Sequence, residues 1–131
     1  MGEIAGEDVL ECPKCHKPMR QLKAGDFIVD RCEQCYGIWI DKGERLKLLK
    51  DKALVWGVDI GSPETGRRFD QQTEATCPRC ECPMQHVKDR AQKHVGFEFC
   101  SECQGSFFDA GELTDLSEFT LSERIRSLFG P

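Results

Sequence analysis

The sequence predicts a small, metal-stabilised α+β fold made of two tandem repeats, each with a short β-hairpin or three-stranded sheet and a short helix. Three observations lead to this prediction. The 131 residues include nine cysteines, and eight of them form four C-x-x-C pairs. The segment VDRCEQCYGIWIDKGE (29–44) returns later in the chain as FEFCSECQGSFFDAGE (97–112). Each repeat spans only about forty residues, a size at which a hydrophobic core rarely suffices without metal or disulfides.

Each repeat contains one set of four cysteines with the spacing of a zinc site. The two C-x-x-C turns, called knuckles below, are separated by sixteen residues in the first repeat and by nineteen in the second. Such pairs are typical of zinc sites, because each knuckle aims two sulfurs at one point and two knuckles complete a tetrahedron. We therefore expect two structural zinc ions. The predicted metal ligands are Cys12, Cys15, Cys32 and Cys35 in the first set and Cys77, Cys80, Cys100 and Cys103 in the second.

Short strands are predicted between and after the knuckles. Residues 19–23 and 27–31 are predicted to form a hairpin around Ala24-Gly25-Asp26, which is a turn signal. Residues 36–40 are predicted to form a third strand. The hairpin brings the two knuckles of one repeat together, as a shared metal ion requires.

A helix is predicted after the third strand of each repeat. Asp41 precedes an apolar run and is followed three residues later by Glu44, which is the carboxylate version of a capping box. Asp109 and Glu112 repeat this pattern in the second repeat. The apolar side of these helices is predicted to consist of Leu46, Leu48, Leu49, Leu113 and Leu116.

The predicted domains are a first repeat at 1–52, a linker at 53–76, a second repeat at 77–117 and a C-terminal amphipathic helix at 118–131. Within the linker, residues 55–60 are apolar and strand-like. The C-terminal helix is predicted from a capping box at Thr120 and Glu123 and from an apolar stripe that docks on the second repeat or dimerises, with docking as the default. The stripe contains Leu121, Ile125, Leu128 and Phe129.

Residues 12–49 and 77–116 resemble the transcription-factor-IIB-type zinc-finger family, a short zinc ribbon. The resemblance rests on the C-P-x-C first knuckle and on a second knuckle continuing as x-Gly, apolar residues and Asp-x-Gly-Glu. It implies two tandem zinc ribbons with the two cysteine sets as ligands. The chain departs from the family after the first knuckle, where glycines are usual and His16-Lys17 or Glu81-Cys82 stand here. Likeness of fold does not itself establish a role in transcription.

Several other residues are candidate functional groups. Cys82 is the ninth cysteine, and because its counterpart in the first repeat is Lys17, we expect a spectator rather than a reactive thiol or alternative ligand. Trp39 and Phe107 are expected to cover the metal and the hairpins rather than contact a partner. The three histidines, expected to face solvent or pack rather than bind metal, are His16, His86 and His94.

The charge of the chain disfavours nonspecific binding of nucleic acid. The formal net charge is −5 at pH 7, and eight zinc-bound thiolates with two zinc ions would bring it to −9. The first repeat nevertheless carries basic residues that could form a phosphate-binding face, although a solvated helix face is the commoner explanation. These residues are Lys42, Arg45, Lys47, Lys50 and Lys52 on the helix, with Lys14, Lys17, Arg20 and Lys23 upstream.

These patterns predict a non-enzymatic interaction module with structural zinc, binding a protein partner such as a component of the transcription or translation apparatus. Binding of nucleic acid through the first repeat is the alternative, and a thiol-based enzyme or zinc carrier using Cys82 is the third hypothesis. The acidic N-terminal segment has no apolar run, and no segment reaches the roughly 18 apolar residues of a membrane span. Thiols paired for metal are typical of a reducing compartment, so a cytoplasmic location is expected.

Overall fold

The computed structural model describes residues 9–72, 74–88 and 96–117. These residues form six short strands and three helices, and residues 112–117 form a further helical segment. The elements are β1 (Met19–Ala24), β2 (Phe27–Cys32), β3 (Ile38–Ile40), α1 (Arg45–Leu49), α2 (Lys52–Val58), α3 (Pro63–Asp70), β4 (Gln85–Lys88), β5 (Gly96–Phe99) and β6 (Ser106–Phe108).

The six strands form one antiparallel sheet in the order β1-β2-β3-β6-β5-β4. Each repeat contributes three consecutive strands, as predicted, and this part of the α+β prediction is confirmed. The sequence did not indicate that the two three-stranded sheets would join. They join through β3 and β6, where Trp39 pairs with Phe107, its counterpart in the repeat. The two ribbons therefore meet about a pseudo-twofold axis at this pair.

The two faces of the sheet bury two different sets of residues. On one face, Trp39 and Phe107 pack with the cysteine sets and with Met19 and Met84. On the other face, residues that alternate with them along β3 and β6 pack under the helices. This second set includes Ile38, Ile40, Phe108, Leu48, Val55, Val58 and Leu113. The metal-binding knuckles are thus on one side of the sheet, and α1, α2 and the helical segment 112–117 are on the other, while Phe69 of α3 packs with the metal face.

The segment predicted to link the repeats contains α2 and α3. The strand-like interpretation of 55–60 is wrong, because α2 covers most of that segment. Its buried residues, Val55 and Val58, are three positions apart, which is helical rather than strand spacing. The side chain of Asp51 caps α2 by accepting a hydrogen bond from the Leu54 backbone at 3.2 Å. The domain boundaries themselves stay a prediction.

The capping boxes predicted at Asp41–Glu44 and Asp109–Glu112 are wrong, because α1 has no side-chain cap and the helix of the second repeat is capped by Asp59. The helix α1 follows Glu44 without any side-chain cap. In the second repeat the cap comes from Asp59, which lies in the segment between the repeats. Its carboxylate accepts hydrogen bonds from the backbone N–H of Gly111 at 2.8 Å and of Thr114 at 2.9 Å. The Glu112 carboxylate instead accepts from the Gly96 backbone at 3.1 Å.

The predicted C-terminal helix (118–131) and His94 lie outside the described residues. Within the residues that are described, none of the helices combines the length and the apolar character that a bilayer crossing demands.

Candidate metal centres

The first cysteine set is brought together as predicted. The sulfurs of Cys12, Cys15, Cys32 and Cys35 all lie within 4.8 Å of one another. Backbone N–H groups of the knuckles point at these sulfurs, from Cys15 to the Cys12 sulfur at 3.3 Å and from Cys35 to the Cys32 sulfur at 3.5 Å. Hydrogen bonds of this kind stabilise thiolates, which are the form that binds metal.

The second set has the same arrangement but is more open to solvent. The sulfurs of Cys77, Cys80, Cys100 and Cys103 also lie within 4.8 Å of one another. Cys80 is exposed and Cys103 is half-buried, whereas in the first set only Cys15 is more than marginally exposed. The two sites therefore have the same type of ligand, and the ligands of the second site are more exposed to solvent.

The donor geometry fits zinc. Zinc–sulfur bonds of about 2.3 Å in a regular tetrahedron place the sulfurs about 3.8 Å apart. The Cys12 and Cys35 sulfurs are 3.8 Å apart, and those of Cys77 and Cys103 are 3.7 Å apart. Each set of four thiols at this spacing, with backbone donors around it, can hold one zinc ion in a closed site. A closed site has no open position for a substrate, so the metal would stabilise the fold.

Each knuckle requires one residue with left-handed backbone. His16 and Glu81 follow the first knuckles with φ of 62° and 59°, and Tyr36 and Gln104 follow the second knuckles with φ of 61° and 63°. Glycine is the residue that adopts such angles without cost, which explains the family's usual glycines after the first knuckle. The departure from that pattern at His16 and Glu81 therefore leaves the shape of the turn unchanged.

Neighbouring groups shift the cysteine pKa values in opposite directions. A hydrogen bond from Cys35 lowers the pKa of Cys12 to about 6. The same contact raises the pKa of Cys35, and burial adds to this effect. Burial disfavours the Cys100 thiolate, but backbone N–H groups of Cys103 and Glu102 outweigh it and lower the pKa of Cys100 to about 6. In each set the surroundings thus favour the thiolate form of one cysteine, Cys12 in the first set and Cys100 in the second.

Cys82 lies beside the second set. Its sulfur is 3.6 Å from the Cys100 sulfur, and it is half-buried against the core of the metal face. It is not part of the group of four sulfurs that are mutually close. Burial and the Cys100 sulfur raise its pKa, which does not favour an independently reactive thiol. Its counterpart Lys17 is exposed.

The aromatic residues at the sheet junction each pack on the other repeat. A Cβ atom on Gly37 would lie 2.2 Å from the ring of Phe107, and one on Gly105 would lie 2.2 Å from the ring of Trp39. The glycine after each second knuckle is thus required by the aromatic ring of the opposite repeat. Trp39 and Phe107 are fully buried, as predicted.

A buried cation also crosses between the repeats. Lys14, in the first knuckle of the first repeat, forms ion pairs with Glu98 and, at 3.2 Å, with Asp109. Its ammonium group also donates to the backbone carbonyls of Phe69 at 2.8 Å and Gln72 at 2.7 Å. Burial would lower the pKa of Lys14, but the Asp109 and Glu98 carboxylates outweigh it and raise the pKa.

The pseudo-twofold counterpart of this contact is more open. Arg79 occupies the same knuckle position as Lys14, and its guanidinium binds the Asp41 carboxylate at 2.6 and 2.9 Å. The equivalent of Glu98 is Asp30, whose pKa is raised to about 6 by burial and by Asp41, with Arg79 opposing. Each repeat therefore places a knuckle cation against the Asp-x-Gly-Glu aspartate of the other.

These contacts correct the predicted basic face of the first repeat. Lys14 is buried rather than surface-exposed. Arg45 lies over the rings of Phe97 and Phe99, at 5.1 and 5.6 Å from their centres, and donates to the Ser106 hydroxyl at 2.9 Å. Lys42, Lys47 and Lys50 remain exposed.

The two described histidines are not in the metal sets. His16 is exposed, 3.6 Å from a Glu11 carboxylate oxygen, and His86 lies 3.5 Å from a Glu98 oxygen. Sequence reasoning missed the pairing role of Lys14, Glu98 and Asp109. The available signal was the repeated placement of a cation inside both first knuckles, as C-P-K-C and C-P-R-C, together with the aspartate repeated at the end of the third strand.

Comparison with protein families matches both repeats to the same family. The zinc-ribbon family described as a transcription factor zinc-finger, of the transcription-factor-IIB type, matches residues 11–51 and 76–118. The two segments together cover more than half of the chain and include both cysteine sets. No curated protein and no solved structure matches the chain at a significant level.

Proposed function

The chain belongs to the transcription factor zinc-finger family of zinc ribbons, and from this premise we propose that it is a non-enzymatic interaction module that binds another protein. Both zinc sites are closed four-cysteine sites, which supports a structural role for the metal. A structural zinc module needs a surface for its partner. The proposal therefore depends on which apolar groups remain outside the core.

The observation that carries the proposal is the exposure of Trp56. This side chain is 57% exposed on α2, and Ile60, just beyond the same helix, is 55% exposed. Tryptophan is a frequent anchor of protein interfaces because its large ring buries much area with little loss of conformational freedom. The neighbouring Val55 and Val58 are fully buried, so α2 is anchored to the sheet while Trp56 faces outward.

The test compares capture of proteins by the wild type and by surface variants. Immobilised zinc-loaded protein captures partners from an extract of the native host. The captured partner is then purified, and its affinity for the wild type and for each variant is measured. Trp56→Ala should weaken binding at least about tenfold, the loss expected for a tryptophan anchor. Val9→Ser is a matched control, because Val9 is 62% exposed and adjoins Leu10, which packs on the opposite face of the sheet. Equal affinity of Trp56→Ala and wild type would overturn the proposal.

A second candidate function is binding of nucleic acid by the first repeat. One observation favours it: a pocket of about 240 Å³ is lined by Lys42, Arg45, Phe99, Gly43 and Gln104. Within the described part of the chain, Arg45 has no carboxylate partner, and cations beside an aromatic ring suit a phosphate and a stacked base. It ranks second because the net charge is −5 and several basic residues are already paired with carboxylates.

A further inference from the structure

The sulfurs of Cys82 and Cys100 are in contact at 3.6 Å, although only Cys100 belongs to the second metal set. The backbone explains why they meet. Cys82 lies three residues before β4, Cys100 directly follows β5, and these strands pair Gln85 with Phe99. The paired strands hold the two cysteines at the same end of the hairpin. A contact set by backbone pairing persists whenever the second repeat is folded.

The first repeat lacks such a pair. Lys17 stands at the position of Cys82, and its side chain is exposed. The second set is also the more accessible one, since Cys80 is exposed and Cys103 is half-buried. One chain therefore contains two similar zinc sites, of which only the second has an additional thiol touching a ligand.

We propose that Cys82 and Cys100 form a disulfide when a hydroperoxide reaches the second site, and that this oxidation opens that site alone. One sulfur of the pair first takes one oxygen from the hydroperoxide and becomes a sulfenic acid; with hydrogen peroxide the by-product is water. The other sulfur of the pair then attacks the sulfenic sulfur, the Cys82–Cys100 bond forms, and the sulfenic oxygen leaves as water. In total, two thiols and one hydrogen peroxide give one disulfide and two waters; where Cys100 is held as a zinc-bound thiolate, the missing proton comes from solvent. A dithiol reductant reverses the change.

The disulfide removes one ligand from the second set. Cys77, Cys80 and Cys103 remain, and three thiolates do not close a tetrahedral structural site. Because the second repeat depends on its metal for stability, it loosens while the first repeat keeps four ligands. The oxidation regulates the metal site itself, whichever protein partner the module binds.

The experiment uses the full chain loaded with two zinc ions and treated with hydrogen peroxide. Zinc release is followed with a chromogenic chelator, and disulfides are located by peptide mass spectrometry. Wild-type protein should release one zinc ion per chain in the fast phase and contain a Cys82–Cys100 disulfide. Cys82→Ser should slow that phase at least about tenfold, because a serine hydroxyl can neither form a sulfenic acid nor join Cys100 in a disulfide.

A second variant tests the same idea by gain of sensitivity. Lys17→Cys places a thiol at the equivalent position of the first repeat, and it should make the first site release zinc in a fast phase as well. Restoration of both zinc ions by dithiothreitol and zinc would support the disulfide as the cause. Fast zinc release from Cys82→Ser at the wild-type rate, or a disulfide that joins two members of the second set without Cys82, would overturn the proposal.

Discussion

Trp39 and Phe107 face each other in the β3–β6 pairing, and each is the repeat counterpart of the other. Each ring also packs on the glycine that follows the second knuckle of the opposite repeat. Charged side chains make reciprocal contacts between the repeats as well, since Lys14 pairs with Asp109 and Arg79 pairs with Asp41. The two ribbons therefore stabilise each other through reciprocal contacts across the β3–β6 junction.

The glycine–aromatic contact predicts the effect of adding one methyl group. Gly37→Ala should lower the free energy of unfolding by about 1–3 kcal/mol, because its Cβ would lie 2.2 Å from the buried Phe107 ring. Gly105→Ala should behave alike, against Trp39. Gly57→Ala is the control, since its Cβ meets nothing within 4 Å and alanine favours the helix by up to about 1 kcal/mol. Thermal unfolding of the zinc-loaded proteins provides the comparison; equal stability of Gly37→Ala and Gly57→Ala would contradict the contact.

The two cross-repeat cations should differ in their contribution to stability. Lys14→Met leaves the buried carboxylates of Glu98 and Asp109 without their shared cation and should cost about 3–5 kcal/mol. Arg79→Met breaks a pair whose side chains are 34% and 36% exposed, so solvent screening should hold the loss to about 1 kcal/mol or less. Denaturant unfolding at constant zinc measures both. A larger loss for Arg79→Met than for Lys14→Met would show that burial is not the deciding factor.

Lys14 and Asp41 show which features of the fold could be predicted from the sequence and which could not. The cysteine sets, the hairpins and the third strands were predictable because each depends on local spacing and alternation. The sequence favours a surface position for Lys14. Nothing near C-P-K-C in the chain distinguishes a solvated lysine from a buried one that is paired with carboxylates distant in sequence. The sequence favours a helix cap for Asp41 for the same reason, whereas the Asp41 carboxylate accepts hydrogen bonds from Arg79, 38 residues away, and from the Trp39 indole. What the sequence did not indicate is the pairing between the repeats, which is a tertiary contact.

Metal analysis under reducing conditions should distinguish Cys82 from the ligand that it touches. We expect two zinc ions per chain, because each cysteine set can hold one. Cys82→Ser should retain both ions and nearly the wild-type melting temperature, since Cys82 is outside the mutually close group. Cys100→Ser should lose one ion and unfold the second repeat, because binding of zinc is coupled to folding in repeats of this size. Elemental analysis with unfolding curves checks this, and identical behaviour of the two variants would make the ligand assignment wrong.

Nucleic-acid binding provides the last prediction, because it separates the two candidate functions. Lys47 in α1 and Lys50 at its end are exposed and could contact phosphate, whereas Lys14 is buried in ion pairs. If they bind phosphate, Lys47→Gln with Lys50→Gln should flatten the dependence of log affinity on log salt by roughly one unit for each lysine–phosphate pair removed. With a net charge of −5, we expect weak binding at physiological salt and little change in the variant. Fluorescence anisotropy with single- and double-stranded oligonucleotides measures this. A micromolar or tighter, sequence-dependent complex that weakens in the variant would place nucleic acid ahead of protein as the partner, since bulk charge alone cannot produce sequence dependence.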